Sequence, residues 1–215
     1  MTENDLEYVK RLIDCGIITG PVLELGAGYR GATCRDVIRQ AGIEYFASDI
    51  TPTAGINFVA DFENKDIQRF FPPSVKFNCI LVLNVLEHTV DPIRVLDNAI
   101  RLLNDLGLLV IIAPAVWALH NYPVDCCRLL PNWFERYAEI KGMVIIREWF
   151  EYLGYGRVDR YLDRQGNHQF PPPIRSSFKY WKSRIVQRLF DTYGRGMAFP
   201  NHLAIGVVMR LQKRF

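Results

Sequence analysis

The stretch 22-VLELGAGYRGAT-33 sets three glycines in the pattern G-x-G-x-x-G between a short apolar run and a helical pattern. A glycine-rich turn between a first strand and a first helix lets a ligand approach bare backbone at the carboxyl edge of a parallel sheet. Glu24 stands two residues before the first of these glycines. The stretch therefore predicts a strand, a ligand-binding turn and a helix, and it leaves open which ligand the turn receives.

Short apolar runs alternate with helical patterns on the C-terminal side of this turn. Strands are predicted at 21–26, 44–50, 56–61, 77–85 and 107–114. The helices between them are predicted at 32–42, 64–71 and 91–105. Such alternation indicates a mostly parallel sheet with helices on both faces.

The two ends of the chain extend this pattern. Apolar residues at helical spacing predict an amphipathic first helix over 2–15. Towards the C-terminus a helix is predicted at 131–140 and a terminal strand at 202–213. The stretch 143–154 is compatible with a strand and a turn or with a second helix.

Length and composition favour one domain spanning 1–215. A chain of 215 residues with 49% hydrophobic and 23% charged residues can bury one substantial α/β core. No basic and apolar leader opens the chain, and the apolar run 106–119 is too short for a bilayer and contains a proline. Five cysteines without a C-x-x-C pair suit a reducing compartment. We therefore expect a cytoplasmic protein without a transmembrane segment.

Two cofactors use a turn of this kind. A nicotinamide dinucleotide brings a pyrophosphate to the helix N-terminus, and an acidic residue just before the turn opposes it. S-adenosylmethionine (SAM) brings a cationic ammonium and a sulfonium, which the Glu24 carboxylate favours. Asp49, about twenty residues beyond the turn, can accept hydrogen bonds from the ribose hydroxyls of either cofactor. The residues that discriminate lie in 59-VADFEN-64 and 81-LVLNVLEHTVDP-92.

With these stretches, residues 20–137 resemble the class I SAM-dependent methyltransferases, in particular those with an L-E-H-x-x-D-P loop after the fourth strand. The resemblance implies a Rossmann-like methyltransferase fold: a doubly wound, seven-stranded, mostly parallel sheet with an antiparallel final strand. It also implies SAM as cofactor, held by the methionine-binding Glu24, Gly26, Ala27 and Gly28, the ribose-binding Asp49 with Ile50, the adenine-binding Asp61 and Phe62, and the sulfonium floor Asn84, Val85 and Leu86.

The chain departs from the family pattern at two turns. The family's L-x-P-G-G segment before the fifth strand has Asp105-Leu106 in place of Pro-Gly. Arg30 stands where the family often has its third glycine, with Gly31 as the replacement. Neither departure removes a predicted cofactor ligand.

Histidines supply the candidate catalytic groups. His88 follows the fourth strand, and His120 begins an H-x-x-P-x-D stretch that resembles a methyltransferase subgroup often found beside sugar and cell-envelope biosynthesis, with Cys126-Cys127 in place of an aromatic pair. The hypothesis is that His120 is a general base or orients the substrate, that Asp125 fixes it or an acceptor hydroxyl, and that Arg128 engages an anion or a neighbouring carboxylate.

The alternative is that these side chains only brace their loops. Asp125 and His120 would then cap the segment before helix 131–140, and His88 would belong to a helix-start network with Glu87. Some relatives with E-x-x-E-H bind a divalent metal, but Asn84 occupies the first acidic place here. No metal is predicted.

A basic and aromatic insertion is predicted at about 155–199, before the last strand. It carries nine basic and three acidic residues, a net charge of +6 where the whole chain has +3. Within it, Trp181 and Ile185 lie at helical spacing among lysines and arginines. A helix packed over the sheet edge is the first interpretation, ahead of a lid over an anionic acceptor, an interfacial helix at a lipid-linked substrate and, last, contact with nucleic acid.

The sequence thus predicts SAM-dependent methyl transfer to a small polar acceptor, a sugar or an anionic metabolite, with oxygen favoured over nitrogen. An NAD(P)-dependent oxidoreductase is the first alternative, and it leaves 81–92 unexplained. The second is a catalytically silent module with the same fold, for which Arg30 and Cys126-Cys127 are the supporting departures.

Overall fold

The computed structural model describes residues 2–28, 33–117, 124–154, 157–169, 181, 182, 185, 188 and 203–212. Nine strands lie in these ranges: β1 Val22–Leu25, β2 Tyr45–Asp49, β3 Phe58–Val59, β4 Phe77–Leu83, β5 Leu103–Val116, β6 Met143–Ile145, β7 Glu151–Gly154, β8 Arg157–Arg160 and β9 Leu203–Leu211. Four α-helices accompany them: α1 Glu3–Asp14, α2 Arg35–Gln40, α3 Pro92–Arg101 and α4 Pro131–Lys141.

The strands form one sheet in the order β3-β2-β1-β4-β5-β9-β7-β8. The five strands from β3 to β5 are parallel to their neighbours, and β1 lies near the middle with every residue buried. Successive residues of a strand point to opposite faces. Val22 and Leu81 pack with α1 and α2 in one core cluster, whereas Leu23 and Ile80 pack with α3 and α4 in the other. The doubly wound, mostly parallel fold is confirmed.

The far side of the sheet is antiparallel. Strand β9 runs antiparallel to β5, and both β6 and β7 pair with its other edge. The 3₁₀ turn Arg147–Trp149 separates β6 from β7, so 143–154 forms one interrupted strand followed by the β7–β8 hairpin. The antiparallel final strand is confirmed. Within the described residues the sheet has nine strands where seven were expected, because one strand is interrupted and β8 is added at the edge.

Two predicted helices end early. The 64–71 segment contains only the 3₁₀ turn Ile67–Phe70, because Phe71 precedes a proline and takes an extended conformation. The helix predicted at 91–105 ends at Arg101, and β5 begins at Leu103, four residues earlier than predicted.

Most of the predicted insertion lies outside the described residues. Within 155–199 the structure describes β8, the segment up to residue 169 and four residues in helical conformation, of which Trp181 and Ile185 have exposed side chains. In the described part of the chain, no helix has the length and apolar character needed to span a bilayer.

Helix α1 is fixed to the antiparallel side of the sheet. Tyr8 donates a hydrogen bond to the Trp149 carbonyl at 2.5 Å, and Arg11 forms a bidentate ion pair with the buried Glu151. A Cβ on Gly206 in β9 would lie 2.9 Å from Cζ of Tyr8. The helix can reach this depth only because Gly206 has no side chain.

We therefore expect Gly206→Ala to lower the free energy of unfolding by about 1–3 kcal/mol, the usual cost of overpacking a core. Urea unfolding measures it. Combining Gly206→Ala with Tyr8→Leu should cost less than the sum of the two single changes, because the double variant removes the contact. Strictly additive losses would contradict this account.

Leu106 has a strained backbone in β5. Its φ is +61°, its side chain is exposed, and it lies in a bulge where Leu103 pairs with Phe77 but Leu108 pairs with Cys79. The left-handed region costs a branched side chain free energy that glycine does not lose.

Leu106→Gly should raise the free energy of unfolding by about 1 kcal/mol, because relief of strain exceeds the added freedom of the unfolded chain. Thermal unfolding should show a Tm higher by about 2–4 °C. Leu106→Ala is the matched control, since it removes the same side chain but keeps the strain. Equal stabilisation by both variants would show that strain is not the cause.

Candidate active site

The turn after β1 lies directly against the end of β4. Gly26 has a φ of +71°, and a Cβ there would lie 2.8 Å from Cγ2 of Val85. Any other residue would be strained and would push the turn away from the sheet. Ala27 follows with a buried side chain. Residues 29–32, which contain the predicted replacement glycine, lie outside the described residues.

Asp49, at the end of β2, faces the same turn. Its Oδ2 accepts a hydrogen bond from the Gly28 amide at 2.9 Å, and its Oδ1 accepts one from the Thr51 amide at 2.8 Å. A Cβ on Gly28 would lie 2.8 Å from this carboxyl group. Each carboxylate oxygen keeps a second lone pair, so Asp49 can accept two further hydrogen bonds. Ile50 beside it is 62% exposed and offers apolar surface.

Glu24, in the middle of the sheet, ties three elements together. Its carboxylate accepts hydrogen bonds from Thr33 Oγ1 at 2.6 Å, the Tyr45 hydroxyl at 2.7 Å and the Cys34 amide at 3.0 Å. Burial raises the pKa of this carboxyl group, and the three donors oppose that effect. Glu24 therefore organises the turn from inside the protein.

Asp61 and Phe62 lie on a short loop after β3. Asp61 is exposed, and its Oδ1 accepts a hydrogen bond from the Glu63 amide at 2.8 Å. Phe62 is buried and packs against Phe71, with ring centroids 6.0 Å apart. The buried Asn98 of α3 donates to the Phe62 carbonyl at 2.8 Å. Towards a ligand this loop offers the Asp61 side chain and the backbone of Phe62.

The end of β4 is bound to the first turn of α1. Asn84 has a φ of +53°, which asparagine tolerates, and its Nδ2 donates to Oδ2 of Asp5 at 3.0 Å. Asp5 is buried and completes a capping box with Thr2. Val85 is half-buried, but the Leu86 side chain is fully buried in the core. Sequence reasoning missed Asp5, since only the fold brings it to Asn84.

The segment after β5 lies on the loop after β4. The Cys126 and Cys127 amides donate to the Glu87 carbonyl at 2.7 and 3.2 Å. The Nδ1 atom of His88 is hydrogen-bonded to the Val124 carbonyl, and its Nε2 atom is 3.7 Å from Oε1 of Glu87. These contacts bring two of the stretches predicted to carry catalytic residues together.

Asp125 and Arg128 form an ion pair within that segment. Both Asp125 oxygens accept hydrogen bonds from the guanidinium, one at 2.6 Å, and the Asp125 side chain is only 3% exposed. The structure thus places His88 and Asp125 on contacting segments. His120 lies outside the described residues.

Glu87 is the group that sequence reasoning left out of the candidate catalytic set. It is 2% exposed, and burial raises its pKa to about 7, with nearby Arg128 lowering it and Asp125 raising it. The L-E-H-x-x-D-P motif contained the signal, but the sequence does not show that this acid is buried.

The described residues suit a cationic cofactor with a ribose. Asp49 keeps acceptor capacity for two hydroxyls, and the buried carboxyl groups of Asp5 and Glu24 have no lysine or arginine within ion-pair distance in the described part of the chain. SAM combines a ribose with ammonium and sulfonium cations. In the same part of the chain no three His, Cys, Asp or Glu side chains group as metal ligands would. The expected metal-free site stays a prediction.

Comparisons with known proteins point the same way. Residues 7–160 match the family model described as a methyltransferase domain, and no curated protein matches the chain. The magnesium protoporphyrin IX methyltransferase ChlM of Synechocystis PCC 6803, solved with bound SAM, is 11% identical over 96% of this chain and 78% of its own, with a TM-score of 0.51. The plantazolicin methyltransferase BamL is 16% identical over 96% and 82%, with a TM-score of 0.52.

The fold alone does not fix the reaction. The [4+2]-cyclase SpnF shares it, at 13% identity over 95% of this chain and 82% of its own, with a TM-score of 0.55. Family membership rests instead on the matched model, which spans well over half of the chain. Membership of this family supports neither of the two alternatives, an NAD(P)-dependent oxidoreductase or a catalytically silent module. The chain belongs to the methyltransferase-domain family, and it is a SAM-dependent methyltransferase.

Proposed function

We propose that this enzyme methylates a small polar acceptor, a sugar or an anionic metabolite, on oxygen. One observation carries the proposal: the segment with Asp125 and Arg128 lies on the loop with Glu87 and His88. The Glu87 carbonyl accepts hydrogen bonds from two amides of that segment, and the Val124 carbonyl accepts one from the His88 ring. Acidic and basic side chains therefore lie together beside the end of β4. An acceptor with hydroxyl or acidic groups fits such surroundings.

The placement of each residue supports the cofactor roles that the family resemblance implies. Asp49 would accept from the ribose hydroxyls, Ile50 and the Asp61 loop would hold the adenine, and Phe62 would act through its backbone. The methionine part would lie along Gly26, Ala27 and Gly28, with Glu24 fixing that turn, and Asn84, Val85 and the backbone of Leu86 would form the floor.

SAM supplies an electrophilic methyl group on a sulfonium. The chain has to align the acceptor, exclude water and, for a hydroxyl, accept a proton. His120 and His88 are the proposed groups for proton transfer or substrate orientation. Because Arg128 engages both oxygens of Asp125, we assign Asp125 an orienting role.

The basic segment 155–199 is proposed to meet the acceptor. Its net charge of +6 would favour an anionic or lipid-linked molecule, and the exposed Trp181 and Ile185 would suit an interface. Nucleic acid ranks behind both.

Calorimetric titration with SAM, its demethylated product S-adenosylhomocysteine (SAH) and NAD tests the cofactor roles. Asp49→Asn should weaken SAM and SAH alike by about 10- to 100-fold, because it removes charge from the ribose acceptor. Gly28→Ala should weaken both as well, since its Cβ would meet the Asp49 carboxyl group. Asp36→Asn, on the exposed side of α2, is the matched control and should bind normally. Unchanged binding by Asp49→Asn would remove its assignment.

Formation of SAH from SAM in the presence of D-glucose, D-glucosamine or D-glucuronic acid, with NMR of the product to identify the methylated atom, tests the acceptor. We expect O-methylated products from D-glucose and D-glucuronic acid, and no methylation of the amine nitrogen of D-glucosamine. His120→Ala should lower kcat by about 10²–10⁴-fold, as expected for loss of a general base, with SAM affinity unchanged. Methylation confined to the amine, or turnover with none of the three, would overturn the sugar and oxygen assignment. Full turnover by His120→Ala would remove the base role.

A further inference from the structure

Glu87 is a buried acid without a full set of partners. Its side chain is 2% exposed, and within the described part of the chain its Oε2 atom is buried and accepts no hydrogen bond. An unpaired polar atom in a protein interior costs free energy, so most such atoms have a partner. The other three buried acids of the described residues differ. Glu151 is paired with Arg11, Glu24 accepts from three donors, and Asp5 accepts from the Thr2 amide and from Asn84.

The elements around Glu87 come from both halves of the site. Two residues before it, Val85 contacts the glycine turn at Gly26, where the family places the methionine part of SAM. On its other side, Cys126 and Cys127 bring the acceptor-side segment onto its backbone. Glu87 therefore lies between the regions proposed for cofactor and acceptor.

Among the described residues, four charged or titratable side chains lie near Glu87. His88 comes from its own 3₁₀ turn, whereas Asp125, Cys127 and Arg128 come from the segment packed against it. Burial is the main cause that raises its pKa to about 7, so the free enzyme keeps this carboxyl group largely protonated below pH 7. A cation bound nearby lowers the pKa of a carboxyl group and releases its proton.

We propose that Glu87 is a further residue of the methyl-transfer centre, and that it releases its proton when the sulfonium of SAM binds. The inference rests on the proposed cofactor site. It is consistent with the proposed oxygen acceptor, since an ionised Glu87 can receive the proton of an acceptor O–H group. In that step the acceptor lone pair forms the bond to the methyl carbon, the C–S bond electrons stay on sulfur as a thioether, and the acceptor proton passes to Glu87. His120 then takes the substrate-orienting role, the second of the two roles proposed for it.

Proton release on binding tests this without any acceptor. Calorimetry at pH 6 in MES, phosphate and imidazole, whose ionisation enthalpies differ, gives the number of protons exchanged. SAM should release roughly 0.5–1 proton per site, because a nearby sulfonium lowers the pKa of a group that is mostly protonated at this pH. SAH has no sulfonium and should release far less.

Variants assign the proton to its residue. Glu87→Gln should abolish the proton release on SAM binding, whereas Glu87→Asp should retain it. His88→Asn and the exposed control Glu139→Gln should both keep most of the proton release. As the pH is raised towards 7, the affinity of the wild-type protein for SAM should increase by up to about tenfold per pH unit. Above pH 7 it should level off, while the affinity for SAH should not change with pH. This measurement needs no variant, so it stands even if Glu87→Gln does not fold.

Three results would overturn the inference: SAM binding without proton release, release that persists in Glu87→Gln, or release lost only in His88→Asn. If the wild-type protein binds neither SAM nor SAH, the proposed cofactor site itself fails. The two failures are therefore distinguishable.

Discussion

The hydrogen bonds of Glu24 fix the geometry on which the rest of the site depends. A single carboxylate at the end of the central strand accepts from Thr33, Cys34 and Tyr45, and so connects β1, the start of α2 and β2. These bonds hold the start of the helix to the strand, while the Gly28 and Ala27 amides tie the glycine turn to β2 through Asp49 and the Ser48 carbonyl. The turn in turn places the Gly28 amide on Asp49 and Gly26 against Val85, so the ends of β1, β2 and β4 form one surface.

Much of this was predictable from the sequence. The alternation of apolar runs and helical patterns predicted the parallel half of the sheet, and the motif order predicted which residues gather at its carboxyl edge. The L-E-H-x-x-D-P motif did not reveal that Glu87 is buried, because burial depends on the segment at 124–128 packing over it. The Asp5–Asn84 hydrogen bond joins residues from distant parts of the chain, and no local pattern encodes such a pairing.

Local chemistry explains the misplaced boundaries. The proline after Phe71 limits a helix that composition favoured, and β5 continues through a bulge that a periodicity of two residues does not show. The interrupted strand at 143–154 was ambiguous because its pieces are too short for periodicity to separate a strand from a helix. The bulge in β5 and the interrupted strand lie away from the cofactor residues. The 64–71 segment does reach them, since Phe71 packs against the buried ring of Phe62.

The position of β9 has a consequence for how the protein is made. Residues 203–211 lie between β5 and the interrupted strand β6–β7, and they pair with both. While the ribosome is still translating this part of the message, the nascent chain has two unpaired strand edges, which are prone to association with other chains. The parallel half can assemble during synthesis, whereas the antiparallel half has to wait until residue 211 has left the exit tunnel. Translation speed across the codons for residues 203–211 therefore bears on the yield of folded enzyme.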